Sequence, residues 1–215
     1  MRTVKNPLTS KRKIVRVAYY FDYKSTYAYL ADHFTWALAE QSNIELDWIP
    51  YTLKIDKYLG NAELDANDKD ICKTRNDHQW RRVRYSYRDC RREATRRGLI
   101  IRGPRKIFDS SLAHVAFLWA SSRGETKKFH DSVFKMFWMR ELDIENIGDL
   151  ISLMRQSDLS TEGFEEFAIS DGIKLHDRLQ IEAELNGVFG VPSWIVEGEL
   201  FWGLERLDRV KENLT

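Results

Sequence analysis

The stretch GVFGVPSWIVEGELFWG, Gly187 to Gly203, places one of the chain's four prolines at the mouth of an apolar run with a two-residue turn at its centre. A proline has no N–H to give to a sheet ladder, so within a sheet it is confined to an edge, a bulge or the first position of a strand. Pro192 suits only the last. Two short strands then follow, Ser193 to Val196 and Glu199 to Trp202, joined by Glu197-Gly198 as a hairpin turn weaker than Asn-Gly. Upstream, GIKLHDRLQIEAELNG reads as a helix ending at Gly187, and downstream Leu204 to Asn213 reads as a last helix.

The N-terminal end has a complementary pattern. KIVRVAYYFDY, from Lys13, is rich in β-branched and aromatic residues and predicts a strand. STYAYLADHFTWALAEQ then sets Tyr29, His33, Trp36 and Leu38 near helical spacing, and NIELDWIPY alternates Ile44, Leu46 and Trp48 before Pro50. This is a βαβ unit, whose crossover should be right-handed. From Gly60 to Ser170 the strand signal disappears. HQWRRVRYSYRDCRREATRRG puts Trp80, Val83, Tyr87, Cys90 and Ala94 on one stripe and stops at Gly98. Further amphipathic stretches cover Ser110 to Ser122, with Asp109 as its N-cap, Glu125 to Arg140, Asn146 to Arg155 and Thr161 to Ile169. The expected fold is α/β: a thioredoxin-like domain from residues 13–60 and 171–215, interrupted by an all-helical insertion at 61–170 and preceded by a basic tail at 1–12.

Composition sets the outer bounds. The 215 residues are 43% hydrophobic and 31% charged with a net charge of +1, the profile of a folded globular chain rather than a disordered or membrane-spanning one. MRTVKNPLTSKRK is basic with no apolar segment behind it, so the expectation is a cytoplasmic protein with no membrane partner. Cys72 and Cys90 lack zinc-type spacing and read as reduced structural thiols, and the five histidines show no ligand spacing. No metal is expected, and no P-loop or dinucleotide glycine fingerprint is present.

YFDYKSTYAYLA, IPYTLKIDKYLGN and NGVFGVPSWIVEGELFWGLERL together resemble the 2-hydroxychromene-2-carboxylate isomerase family and its kappa-class glutathione transferase relatives, within the wider DsbA-like group. The likeness runs from Val17 to Leu207. It implies a cis Pro192, with Val191 pairing through its backbone with the cysteinyl part of reduced glutathione. It implies that Ser25, at the turn from the first strand into the first helix, donates a hydrogen bond to the glutathione thiolate. Asn61 matches a ligand-side asparagine, and Leu204 and Glu205 stand in the WGLER motif that meets the γ-glutamyl arm. The implied reaction is glutathione-dependent isomerisation of a small aromatic or conjugated substrate, with conjugation or a non-catalytic ligand-binding module as alternatives, and a homodimer is compatible with it.

The residues themselves leave room for plainer roles. Ser25 is a good helix N-cap, and Pro192 in trans would still begin a strand. The tetrad Ser25-Thr26-Tyr27-Ala28 has no thiol where DsbA-type oxidoreductases carry C-x-x-C, which excludes intramolecular disulfide exchange there. Three positions depart from the family: Thr26 where proline is usual, Lys24 before the serine, and Glu205 where many relatives have aspartate. Tyr23, Lys24, Tyr27 and Trp202 are the candidate substrate-binding residues, the aromatic ones offering stacking surfaces to a flat substrate; Phe201 reads as core. Finally, residues 73–106 hold 13 Lys or Arg against three Asp or Glu. The arginines fall mostly opposite the Trp80 stripe, as on a solvated helix face; lining the approach of an anionic substrate is a further reading, and nucleic-acid binding is not expected.

Overall fold

The computed structural model describes residues 14–214 apart from Ser42, Asp68 and Glu125, so the basic tail at 1–12 lies outside the described residues. Strand β1 (Val15–Phe21) alternates as its pattern requires, with Val17, Tyr19 and Phe21 fully buried. Helix α1 (Thr26–Ala39) follows at once, and β2 (Ile44–Pro50) returns parallel to β1, pairing Val15 with Ile44 and Phe21 with Pro50. At the other end of the chain, β5 (Ser193–Val196) lies antiparallel to β1 and β6 (Glu199–Trp202) antiparallel to β5, giving the order β2-β1-β5-β6. Their turn has φ of 48° at Glu197 and 90° at Gly198. Positive φ at both central residues twists the turn with the strands, and glycine carries the second position without steric cost.

Between the halves run α2 (Ile55–Leu59), α3 (Asp77–Arg96), α4 (Ser111–Ser121), α5 (Lys127–Met139), α6 (Ile147–Gln156), α7 (Phe164–Ile169) and α8 (Asp171–Leu185). The insertion is not wholly helical. Ala62–Leu64 (β3) and Asp70–Lys73 (β4) pair as a separate antiparallel ribbon. AEL and DICK are too short and too polar to show an alternating signal, and it is their mutual hydrogen bonding that makes them strands. A short 3₁₀ turn (Leu204–Arg206) and α9 (Leu207–Glu212) take the place of the single last helix expected from Leu204 to Asn213.

Helix α3 carries the clearest local signals. Asn76 and Gln79 form a reciprocal capping box at its start. At its end Gly98 adopts φ 67°, with Leu99 N–H bonded to Ala94 O at 2.9 Å and Gly98 N–H to Thr95 O at 3.3 Å, a Schellman closure. Val83, Cys90 and Ala94 on the expected stripe are buried. Helix α4 begins at Ser110 rather than Asp109, whose Oδ1 instead accepts from the Ser111 amide and hydroxyl.

The bulkiest fully buried side chains are mostly aromatic. Phe21 meets His130 and Phe117 edge-on at centroid distances of 4.6 and 4.9 Å, and Trp36 stacks on Trp48 at 4.0 Å. The insertion helices therefore pack on the face of the sheet that presents Phe21, where β1 ends and α1 begins. No helix among the described residues is long and apolar enough to cross a membrane.

Candidate functional site

Ser25 joins β1 to α1. Its backbone is extended (φ −91°, ψ 115°) and its Oγ accepts from the Ala28 amide at 3.2 Å, which makes it the N-cap. The hydroxyl proton is used elsewhere: Oγ donates to the carbonyl of Val191 at 3.4 Å. That bond is long for O–H···O, so the proton is held weakly and a better acceptor can take it. Capping uses an oxygen lone pair and donation uses the proton, so one hydroxyl does both. The first-turn amides of Thr26 and Tyr27 have no acceptor within the helix, and the positive end of α1 adds to the local preference for an anion.

The partner strand comes from the opening motif. The Val191–Pro192 peptide is cis, and Pro192 O accepts from Gly203 N–H at 2.9 Å as β5 and β6 close behind it. Gly190 permits the close approach of Trp202, whose Nε1 would lie 2.5 Å from a Cβ built at that position. Trp202 also packs on Phe189, with centroids 4.8 Å apart.

Ser25 and Val191 form one wall of a cavity of about 1110 Å³, at the upper end of small-molecule sites. Lys24, Tyr27 and Trp202 share that wall, and α3 supplies the wall opposite through Trp80, Arg84, Tyr87, Arg88 and Arg91. Nine lining residues are Lys or Arg and none is Asp or Glu. Two hydrogen bonds tie the walls together. Cys90 Sγ donates to Thr26 Oγ1 at 2.9 Å and Tyr27 Oη donates to Asp89 Oδ2 at 3.1 Å. Burial pushes both the Cys90 thiol and the Tyr27 phenol above their ordinary pKa values, which keeps each protonated as a donor. Thr26 thus spends its hydroxyl oxygen on anchoring α1 to α3.

Beneath the serine lies a buried polar chain. Asp22 accepts from the amides of Lys24 (3.0 Å) and Leu53 (2.8 Å) and stands 3.5 Å from Lys24 Nζ, which donates to Ser110 Oγ at 3.2 Å. His114 Nε2 sits 3.4 Å from Asp22 Oδ1, a contact too poorly directed to count as a formed hydrogen bond. Thr52 Oγ1 joins His114 Nδ1 at 2.8 Å to His176 Nε2 at 2.9 Å. A single hydroxyl proton satisfies this only if Thr52 donates to one ring and accepts from the other. Burial works to raise the Asp22 pKa, yet the Lys24 ammonium, His114 and Ser110 hold it well below the usual carboxylate range.

Burial lowers the His114 pKa from 6.5 to about 4, against the pull of Asp22. Between those two pH values the unfolded chain binds a proton at His114 that the native chain refuses, so stability falls as the pH drops from 6.5 toward 4. The full loss is about 3 kcal/mol, and Asp22 adds to it only below its own ordinary value near 3.8. Thermal unfolding at pH 7 and pH 4.5 should show this drop. A His114→Gln variant should have a shallower dependence, and an equal slope would place the proton uptake elsewhere.

Of the residues singled out in the sequence, the structure brings Lys24, Ser25, Tyr27, Val191 and Trp202 to the cavity wall, with Pro192 buried directly behind. Lys24 is buried and ion-paired rather than a solvated loop lysine. Tyr23 is fully buried, its Oη 3.0 Å from His130 Nδ1, while His130 Nε2 meets Asp32 at 2.8 Å. It supports the site from the core and does not line the cavity. Asn61 folds its Oδ1 onto the Ala62 amide at 2.9 Å, and neither Asn61, Leu204 nor Glu205 is in the lining. The Glu205 carboxylate lies back over Gly203, in the 3₁₀ turn that follows β6 and packs against α1. Phe201 is core, as read.

The sequence offered the arginines of α3 as a solvated face or as the lining of an anionic substrate's approach, without placing them on this cavity. Trp80, Arg84, Tyr87 and Arg91 follow one another at helical spacing, a second stripe beside the buried one, so the arginines form a wall and not merely a solvated back. The +10 local charge was the available signal. No cluster of metal-ligating residues occurs among the described residues.

The sheet order, the cis proline opposite the start of α1, and a helical insertion over the same edge define a thioredoxin-fold protein of the DsbA type, here with Ser25 at the turn from β1 into α1. Residues 16–215 match the DSBA-like thioredoxin domain family, and the chain belongs to it. Among curated proteins it is 23% identical over 199 residues to a 2-hydroxychromene-2-carboxylate isomerase of Sphingobium xenophagum, covering 92% of this chain and 97% of that protein. It is 25% identical over 198 residues to the same-named protein of Pseudomonas sp. (strain C18), covering 90% and 87%. Among solved structures, a 2-hydroxychromene-2-carboxylate isomerase superposes with a TM-score of 0.71 at 18% identity, covering 92% of this chain and 93% of that one. A probable DsbA oxidoreductase from Streptomyces coelicolor gives 0.70 at 17%, covering 94% and 88%. These two structural likenesses speak to the fold.

Proposed function

We propose that the protein is a glutathione-dependent isomerase of a small conjugated substrate. The observation that carries this reading is the meeting of Ser25 Oγ with the Val191 carbonyl, ahead of a cis proline and at the N-terminus of α1, on the wall of one large cavity. Reduced glutathione is placed with its cysteinyl backbone along Val191 and its sulfur at Ser25 Oγ. The hydroxyl turns its proton from Val191 to the sulfur and holds the thiolate form. The thiolate adds to a conjugated carbon, and the electron pair of the double bond moves onto the conjugated carbonyl. Rotation about the resulting single bond follows. The electron pair then returns, the carbon–sulfur bond breaks, and the thiol is released unchanged. Similarity to curated proteins named 2-hydroxychromene-2-carboxylate isomerase supports the reaction class.

The test is a titration with reduced glutathione, read by thermal unfolding and by thiolate ultraviolet absorbance. Binding to the native state should raise Tm by mass action, and the bound thiol should titrate about one to two units below its ordinary value near 8.5. Millimolar glutathione that moves neither Tm nor the thiol titration would overturn the reading. A product retaining the carbon–sulfur bond would assign conjugation in place of isomerisation.

A further inference from the structure

The cavity carries far more positive charge than a thiol tripeptide and a small conjugated substrate can neutralise. Of its nine cationic lining residues, Lys24 pairs with Asp22 and Lys106 with Glu145. Arg75, Arg91 and Arg140 donate only to the neutral carbonyls of Leu59, Ile101 and Gly103, and Arg82, Arg84 and Arg88 have no carboxylate partner among the described residues. These six guanidiniums face a cavity whose lining holds no Asp or Glu. Glutathione as thiolate brings a net charge of about −2, from two carboxylates, one ammonium and the sulfur. One further carboxylate on a substrate still leaves an excess.

Length points the same way. Cys90 touches Thr26, beside Ser25, whereas Trp80 lies ten residues earlier on the same helix, about 15 Å away along its axis. With its sulfur at Ser25, glutathione extends from its central residue, and even its full length, about 11 Å for an extended tripeptide plus about two bonds for the γ-linkage, falls short of that. The outer end of the cavity is therefore beyond a ligand seated at Ser25 and Val191. Trp80 sits there with Arg75 at 5.0 Å and Arg84 at 6.0 Å from its ring centroid, and its indole N–H has no acceptor among the described residues. The charged side chains lining that end are all cationic. Arginine forks suit phosphate oxygens, which accept two parallel N–H bonds at once.

We propose that this outer end, around Arg75, Arg82 and Arg84, is a diphosphate-binding subsite, and that the substrate is a conjugated molecule carrying a diphosphate-bearing tail of the coenzyme A kind. The reactive end then lies at Ser25 and the phosphates at Trp80. The location of the reactive end rests on the thiol-site reading, but the subsite does not need glutathione to be the thiol. A nucleic acid would use the same charges, yet these line a concavity shared with Ser25, where a tail fits and a duplex does not.

Calorimetry on the intact protein tests this with coenzyme A, pantetheine, inorganic pyrophosphate and a single-stranded oligonucleotide, each with and without reduced glutathione. Coenzyme A should bind at least about 100-fold tighter than pantetheine, since two or more charge-assisted bonds separate them. Pyrophosphate alone should bind measurably and compete with coenzyme A. Arg82→Gln and Arg84→Gln should each weaken coenzyme A about tenfold while leaving glutathione binding unchanged. Arg81→Gln, exposed on the same helix but outside the lining, should change neither. Equal affinity for coenzyme A and pantetheine would overturn the proposal. So would an oligonucleotide that binds more tightly than coenzyme A and is weakened as much by Arg81→Gln as by Arg84→Gln, which assigns the charge to a nucleic-acid surface. Glutathione binding without pyrophosphate binding sinks the subsite and spares the thiol reading, and the reverse result does the opposite.

Discussion

On the proposed glutathione reaction, a Ser25→Ala variant is expected to lose roughly tenfold to a few hundredfold in kcat/KM, with the pKa of bound glutathione rising toward that of the free thiol. Lowering a thiol pKa by about two units takes about 2.7 kcal/mol of preference for the anion. One hydrogen bond to a charged sulfur supplies about 1.5 to 3 kcal/mol, and the helix terminus about 0.3 to 1. The serine is thus the larger contributor. Because Ser25 Oγ also caps α1, the alanine variant should lose about 1 kcal/mol of stability as well. Ser25→Gly separates the two roles, since glycine at an N-cap costs only a few tenths of a kcal/mol. Both variants should lose turnover, and only the alanine variant should lose much stability. Unaltered turnover and thiol titration in the glycine variant would reduce Ser25 to a cap.

Replacing Asp22 by alanine is expected to cost about 3 to 5 kcal/mol of folding stability, because it strands the ammonium of Lys24 in a buried position. It also leaves the amides of Lys24 and Leu53 without their acceptor. For a chain of this size each kcal/mol moves Tm by about 2 to 4 °C, so thermal unfolding should register a fall of about 10 °C. The informative comparison is the double variant Asp22→Ala, Lys24→Met. Removing both charges should recover a large part of the loss, since a buried pair replaced by apolar groups is often close to neutral. Simple additivity of the two single losses would show that Asp22 and Lys24 are not coupled, and that Asp22 matters for its amide contacts alone.

Features that depend on near neighbours along the chain are legible in its residues. The Glu197-Gly198 turn needs positive φ at two adjacent residues, and the cap at Ser25 needs an oxygen three residues before an amide. The stripe at Val83, Cys90 and Ala94 needs only helical periodicity. The element order of the fold followed from these short-range rules, and the motifs around Ser25 and Pro192 pointed to the same edge of the sheet. Tertiary structure decided everything that rests on distance in the chain. Lys24 and Asp22 are near neighbours in the sequence, but it is Ser110 and His114 of the insertion, closing over them, that make theirs a buried, paired charge. Tyr23 and Tyr27 are both aromatic residues of one motif, yet the packing of α5 takes Tyr23 into the core through His130 while α3 holds Tyr27 at the cavity through Asp89. The arginines of α3 look solvated along an isolated helix. They become a cavity wall because the Cys90–Thr26 contact turns that helix toward the serine, and a helix's own periodicity carries no information about what stands opposite it.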